Sequence, residues 1–283
     1  MATIIDGKKL AEKIRGQVKE EVLKLKELGI NPKLAVVLVG DDPASKVYVR
    51  SKNKACNEVG IEYEEILLSS TITENELIER IIELNKREDI HGVLIQFPLP
   101  KHIDVNHICD TLDYRKDVDG FNPINVGRLI QKRNTFIPCT PHGIMKMFEE
   151  YNIELNGANV VVIGRSNIVG KPLAQCLLNK NATVTVCHSK TQKIEEITKK
   201  AEIVISCVGK PKLITKDMIK EDAIVIDVGI NRVDGKVVGD VDFENVKEKT
   251  SYITPVPGGV GPMTIAMLLN NVVIAAKYLN NIE

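Results

Sequence analysis

Residues 160–174 read VVVIGRSNIVGKPLA. A β-branched run breaks at Gly164, and a helical pattern takes over around Gly170. A strand, a glycine turn and a helix start in that order expose backbone N–H groups at a helix N-terminus, where a pyrophosphate can be held. The spacing is not G-x-G-x-x-G, because Ser166 stands two after Gly164 and the next glycine is Gly170. A tight βα turn without a ligand would use the same residues. In NAD-binding units an acidic residue about twenty positions on takes the ribose hydroxyls. Here the next strand ends Cys187-His188-Ser189-Lys190, with no carboxylate. Arg165 beside the turn, with Ser189 and Lys190 across from it, suits a 2′-phosphate, so the expected cofactor is NADP rather than NAD.

The same rhythm runs through the chain. LAVVLV (34–39), IEYEEILL (61–68) and GVLIQF (92–97) read as strands. A helix between the first two stops at Gly60, and Thr73 with Glu76 forms a capping box opening the next. Thr140 reads as the N-cap, and Pro141 as the first residue, of a helix to about Tyr151. NVVVIG (159–164), ATVTVCHS (182–189), EIVISCVG (202–209) and AIVIDVG (223–229) are further strands, and 263–279 is a long apolar-faced helix. Continuous apolar strands alternating with helices predict parallel sheet covered on both faces. The expected fold is α/β in two domains with a cleft between them. Residues 1–138 form an N-terminal α/β substrate domain, joined by the C-terminal helix 265–283. Residues 139–264 form a C-terminal Rossmann-like NADP-binding domain.

Composition excludes several classes. Lys+Arg and Asp+Glu both number 38, so no basic excess points to nucleic acid or an anionic membrane. The N-terminus is charged within a few residues and has no apolar core of a signal peptide. Runs such as LAVVLV are too short to cross a bilayer. Six scattered cysteines without a C-x-x-C pair fit reduced thiols in a cytoplasmic protein. Five histidines without ligand spacing predict no metal site.

Four further stretches look unlike filler. SKVYVRSK (45–52) places Ser45, Tyr48 and Lys52 along one helical stripe. IQFPLP (95–100) puts Gln96 at the C-terminal end of a buried strand, where open α/β sheets bind ligands. KDVDGFNP (116–123) is a turn with two carboxylates, and PVPGGVGP (255–262) is a rigid loop before the last helix. Each has a plain alternative: a solvated lysine, a strand-end cap, an Asx-turn, a chain reversal.

Together, S-x-x-Y-x-x-x-K, G-V-L-I-Q-F-P-L-P, K-D-V-D-G-F-N-P, G-R-S-x-I-V-G-K-P and P-V-P-G-G-V-G-P-M-T, in this order, resemble the methylenetetrahydrofolate dehydrogenase/methenyltetrahydrofolate cyclohydrolase family. The resemblance implies NADP-dependent oxidation of methylenetetrahydrofolate, followed by hydrolysis of the methenyl product to formyltetrahydrofolate. It implies Lys52 as the central catalytic residue with Tyr48 and Gln96 beside it, and Asp119 holding the pterin. Pro257, Gly258 and Gly259 would close over the folate. Gly164, Arg165, Ser166, Ile168, Gly170, Ser189 and Ile230 would contact the coenzyme. The family is generally homodimeric through its nucleotide-binding domain.

One site can carry both steps. A protonated lysine about 4 Å from the amidinium-like product would repel it by about 4 kcal/mol at an effective dielectric of 20. Lys52 is therefore expected to be largely neutral during turnover and able to take a proton from the attacking water. Three other readings are a dehydrogenase without cyclohydrolase activity, a lyase using Lys52 as a Schiff base, and a non-catalytic NADP-binding regulator. The Tyr48/Lys52/Gln96/Asp119 set and the Arg165/Ser189 pair weigh against them.

Overall fold

The computed structural model describes residues 2–282. In chain order the first elements are β1 (Thr3–Ile4), α1 (Gly7–Glu27), β2 (Lys33–Val39), α2 (Pro43–Val59), β3 (Glu62–Leu68), α3 (Glu74–Lys86), β4 (Gly92–Ile95), α4 (Val105–Thr111) and α5 (Pro123–Ile130). Then follow α6 (Cys139–Glu150), β5 (Asn159–Ile163), α7 (Gly170–Asn179), β6 (Thr183–Cys187), α8 (Ile194–Thr198), β7 (Ile203–Ser206), β8 (Ile224–Asp227), β9 (Asn231–Val233), β10 (Lys236–Val238), α9 (Phe243–Val246), β11 (Tyr252–Ile253) and α10 (Val260–Leu279). Chain contacts divide it into two compact units. One holds residues 13–128, 134–137 and 265–283, and the other residues up to 12, 129–133 and 138–264.

The first unit is built on a parallel sheet in the order β3-β2-β4. Its central strand, LAVVLV, is buried along its whole length, as a strand covered on both faces must be. Strand β3 departs from that expectation. It lies at the sheet edge, with Leu67 56% exposed, and its Glu64 pairs with Arg87 and Lys33 instead of being covered. Ile81, Leu77, Ile90 and Val93 are among the side chains filling the space between sheet and helices. Each fully buried aliphatic side chain of this kind contributes about 1.5–3 kcal/mol.

Local chemistry sets the helix ends. The Asp42 carboxylate accepts the Ser45 N–H at 2.7 Å, Pro43 occupies the first turn of α2, and Gly60 closes it at φ 82°. Thr73 and Glu76 form the reciprocal capping box of α3. Helix α6 starts earlier than expected: Pro138 holds the cap position, and the His142 N–H bonds back to the Pro138 carbonyl. Thr140 lies inside the first turn, where its hydroxyl meets that of Thr264 at 2.9 Å.

The second unit carries a six-stranded parallel sheet in the order β1-β11-β8-β7-β5-β6. The two-residue strand β1 joins it by pairing Thr3 with Tyr252, which is why residues 2–12 group with this unit. From β5 the chain moves to β6 on one side and returns to β7 on the other. That reversal is a topological switch point, where such sheets open a crevice at the strand C-termini. Helix α10 is the one helix among the described residues long and apolar enough to cross a membrane, but 61% of that stretch is buried inside the protein. Its apolarity is that of a core helix.

Candidate active site

In the first unit Lys52 Nζ donates to Gln96 Oε1 at 2.8 Å. Two bonds fix the acceptor. The Gln96 backbone N–H extends the β2 ladder to the Val37 carbonyl, and its side-chain amide nitrogen donates to the Phe97 carbonyl at 2.7 Å. With its NH2 group so engaged, the amide presents its oxygen to the lysine. The α2 stripe divides as it runs along the helix. Ser45 is 3% exposed and faces the core, Lys52 is half-buried, and Tyr48 is 44% exposed one turn before it. Neighbouring Lys46 and Lys54 instead pair with Asp41 and Glu58.

The KDVDG turn is joined to the same strand. The Val93 N–H donates to the Lys116 carbonyl at 2.8 Å, and Val93 and Asp117 form a parallel bridge. The chain then turns over 117–120, closed by the Gly120 N–H to the Asp117 carbonyl at 3.1 Å, and Asp119 lies in that turn. Phe97 and Phe121 pack together with ring centroids 5.8 Å apart. The turn then divides its polar residues. Lys116 is buried and donates to the Leu84 and Arg87 carbonyls at the end of α3, and burial lowers its pKa. Asp117 is 2% exposed and accepts from the Gly120 and Asn122 N–H groups and the Asn125 side chain; burial pushes its carboxyl up to about 6. Asp119 is half-buried. Asn271 of α10, which the sequence reading missed, donates to the Val118 carbonyl at 2.8 Å and braces the turn.

In the second unit the 160–174 turn sits at the switch point. A Cβ on Gly170 would overlap the Gly164 carbonyl, and one on Gly164 would press on Cys207. Gly164 also has φ 124°, so both glycines are demanded by the turn itself. Ser166 Oγ accepts the Val169 and Gly170 N–H groups at 3.1 and 3.3 Å, where the chain enters α7. The β5–β6 register pairs Ile163 with Cys187, so Arg165 and Ser189, both exposed, stand equally far beyond neighbouring strand ends. Ile168 is 44% exposed.

Ile230, 51% exposed, shares a cavity of about 140 Å³ with Pro257, Gly258 and Gly259. The Lys8 N–H donates to the Gly258 carbonyl, and a Cβ on Gly259 would overlap the Pro255 carbonyl. A wider hollow of about 550 Å³, lined by Glu154, Glu202 and Asp222, lies at the opposite edge, where the strands begin. Sheets of this kind bind ligands at strand C-termini, and this hollow lies at the other end. Burial drives the Cys56 and Cys176 thiols up to about 12. Among the described residues no group of His, Cys, Asp and Glu could hold a metal ion.

A parallel sheet with a switch point, and a glycine turn whose Cβ positions backbone would fill, define a dinucleotide-binding α/β protein. Known proteins narrow that class. The profile of the tetrahydrofolate dehydrogenase/cyclohydrolase catalytic domain matches residues 5–119, and that of the family's NAD(P)-binding domain matches residues 138–280. The chain belongs to the tetrahydrofolate dehydrogenase/cyclohydrolase family. It is 58% identical over 278 residues to the bifunctional protein FolD of Bacillus cytotoxicus, covering 98% of this chain and 97% of that protein. The crystal structure of the bifunctional FolD dehydrogenase/cyclohydrolase from Campylobacter jejuni superposes with a TM-score of 0.97 at 53% identity, covering 98% of this chain and 99% of that one. The Trypanosoma brucei enzyme, solved with NADP and an inhibitor, gives 0.93 at 39% identity, with 98% of each chain covered.

Proposed function

We propose that this chain oxidises 5,10-methylenetetrahydrofolate to 5,10-methenyltetrahydrofolate with NADP and hydrolyses the product to 10-formyltetrahydrofolate in the same site. The observation that carries the reading is the Lys52 Nζ–Gln96 Oε1 bond at the C-terminal edge of the small sheet. A neutral amine that donates one hydrogen to Gln96 keeps its lone pair for a proton. In the hydrolysis, water attacks the bridging carbon while Lys52 takes its proton. Lys52 returns that proton to N5 as the carbon–N5 bond opens, and the carbinol hydroxyl gives up its remaining proton to solvent, leaving the formyl group on N10 and one proton released overall. The side-chain bond from Gln96 to the Phe97 carbonyl keeps the amide from turning its NH2 group toward the amine.

Asp119 supplies an acceptor for the pterin N–H donors, and Tyr48, exposed one turn before Lys52, supplies a flat stacking face. In the other unit, Gly164, Ser166 and Gly170 shape a turn whose backbone can lie against a pyrophosphate, while Ile168 and Ile230 offer apolar surface. Arg165 and Ser189 suit the 2′-phosphate of NADP. The coenzyme, when bound, accepts the hydride; the protein's share of that step is positioning. Pro257, Gly258 and Gly259 form the loop assigned to close over the folate. The reading includes a homodimer through the nucleotide-binding unit and a cytoplasmic site of action, the latter supported by free cysteines throughout the described residues.

The test is to supply methylenetetrahydrofolate and NADP to the purified chain and follow reduction of the coenzyme through to the formyl product. Stoichiometric formation of both supports the reading. Coenzyme reduction with no formyl product above the uncatalysed rate would leave a dehydrogenase alone.

A further inference from the structure

Two carboxylates are enclosed together at the C-terminal ends of β7 and β8, where Asp227 closes β8 opposite Ser206: Asp227 is 3% exposed and Asp240 0%. The stretch between them folds as the β9–β10 hairpin, turned at Asp234-Gly235, where both residues have positive φ, and so brings Asp240 back against Asp227. Asp227 accepts the N–H groups of Gly229, Asp240 and Val241, each at 2.9 Å. Asp240 accepts more. Its Oδ2 takes the Ser206 hydroxyl at 2.9 Å and the Val208 and Gly209 N–H groups at 2.9 and 3.2 Å. Its Oδ1 takes the Lys210 N–H at 2.8 Å and the Asn231 side chain at 3.2 Å. The packing is reciprocal: a Cβ on Gly239 would overlap the Asp227 carboxylate, and one on Gly229 would overlap that of Asp240.

Three successive backbone N–H groups converging on one anion form a nest of the kind that elsewhere binds phosphate. Here the anion is internal. The 207–210 loop therefore turns its donors inward and leaves Val208, 39% exposed, on its outer side, as the loop after β8 leaves Ile230. Both loops lie at the strand ends where the coenzyme is placed. We propose that Asp240 is a positioning residue for the coenzyme: its carboxylate holds the 207–210 loop, and through Asn231 the loop after β8, in the shape that receives the dinucleotide. This rests on the NADP reading above.

The test is Asp240→Asn, with Ser206→Ala as a milder variant that removes one donor and no charge. In the asparagine variant one of the two oxygens becomes an NH2 group facing N–H donors. Losing hydrogen bonds to a charged group at this scale predicts a KM for NADP raised about tenfold or more, and about threefold in Ser206→Ala. The KM for the folate should stay at its wild-type value, and the gain in melting temperature on adding NADP should shrink in step. A merely structural role would lower kcat and melting temperature while leaving the KM for NADP alone. An unchanged KM for NADP in Ser206→Ala, and in Asp240→Asn if that variant folds, overturns the proposal. A wild-type protein that gains no thermal protection from NADP would instead remove the coenzyme reading on which it rests.

Discussion

Asp117 and Asp119 stand two residues apart in one turn and meet different surroundings. Asp117 is buried, accepts from two backbone N–H groups and the Asn125 amide, and has its pKa pushed up to about 6 by burial, from the usual 3.8. Between those values the folded protein holds the proton more tightly than the unfolded chain. The cost of ionising Asp117 is therefore absent below about pH 4 and fully present above about pH 6. In urea unfolding, the stability of Asp117→Asn relative to wild type should rise across that window by about 3 kcal/mol. A difference that stays flat with pH would place the Asp117 pKa near its ordinary value. Spacing alone could not separate the two aspartates, since an Asx-turn suits either; the family resemblance pointed to Asp119, and the fold buries Asp117 while leaving Asp119 half-exposed. Lys52 and Gln96 were legible because helical spacing and a strand end each restrict where a side chain can lie. That they form a direct bond required the fold.

Helices and turns were readable where side chains act on their own backbone. The Thr73/Glu76 box and the Gly60 cap are local, and both form as expected. Replacing Thr73 with Ala should cost about 1 kcal/mol in thermal or urea unfolding, and no measurable loss would mean the capping bonds are offset by water. The start of α6 was misplaced because the local signal, Thr then Pro, competes with a tertiary one. Thr140 is held by Thr264, far along the chain, and the helix begins before it. Helix α1 was not anticipated, although buried Leu10, Ile14, Val18, Val22 and Leu25 recur at helical spacing. Strand β1 leaves almost no sequence signal, because two residues are too few for any period to show.

For the whole molecule, two chemistries must be served by a chain with no metal-ligating cluster among its described residues. The proposed coenzyme choice rests on Arg165 and Ser189, which stand beyond adjacent strand ends. Arg165→Ala should narrow the ratio of kcat/KM for NADP over NAD by about tenfold or more, as loss of a charge-assisted phosphate contact would. An unchanged ratio would mean that Arg165 does not face the 2′ position. In the proposed reaction one amine, Lys52, serves the hydrolysis. The most direct measurement is the rate of methenyltetrahydrofolate hydrolysis without coenzyme, followed by loss of the methenyl absorbance, in wild type and in Lys52→Met. Removing a general base predicts a fall of about a hundredfold or more, with the thermal shift on adding NADP retained. Hydrolysis by Lys52→Met at the wild-type rate would contradict the account.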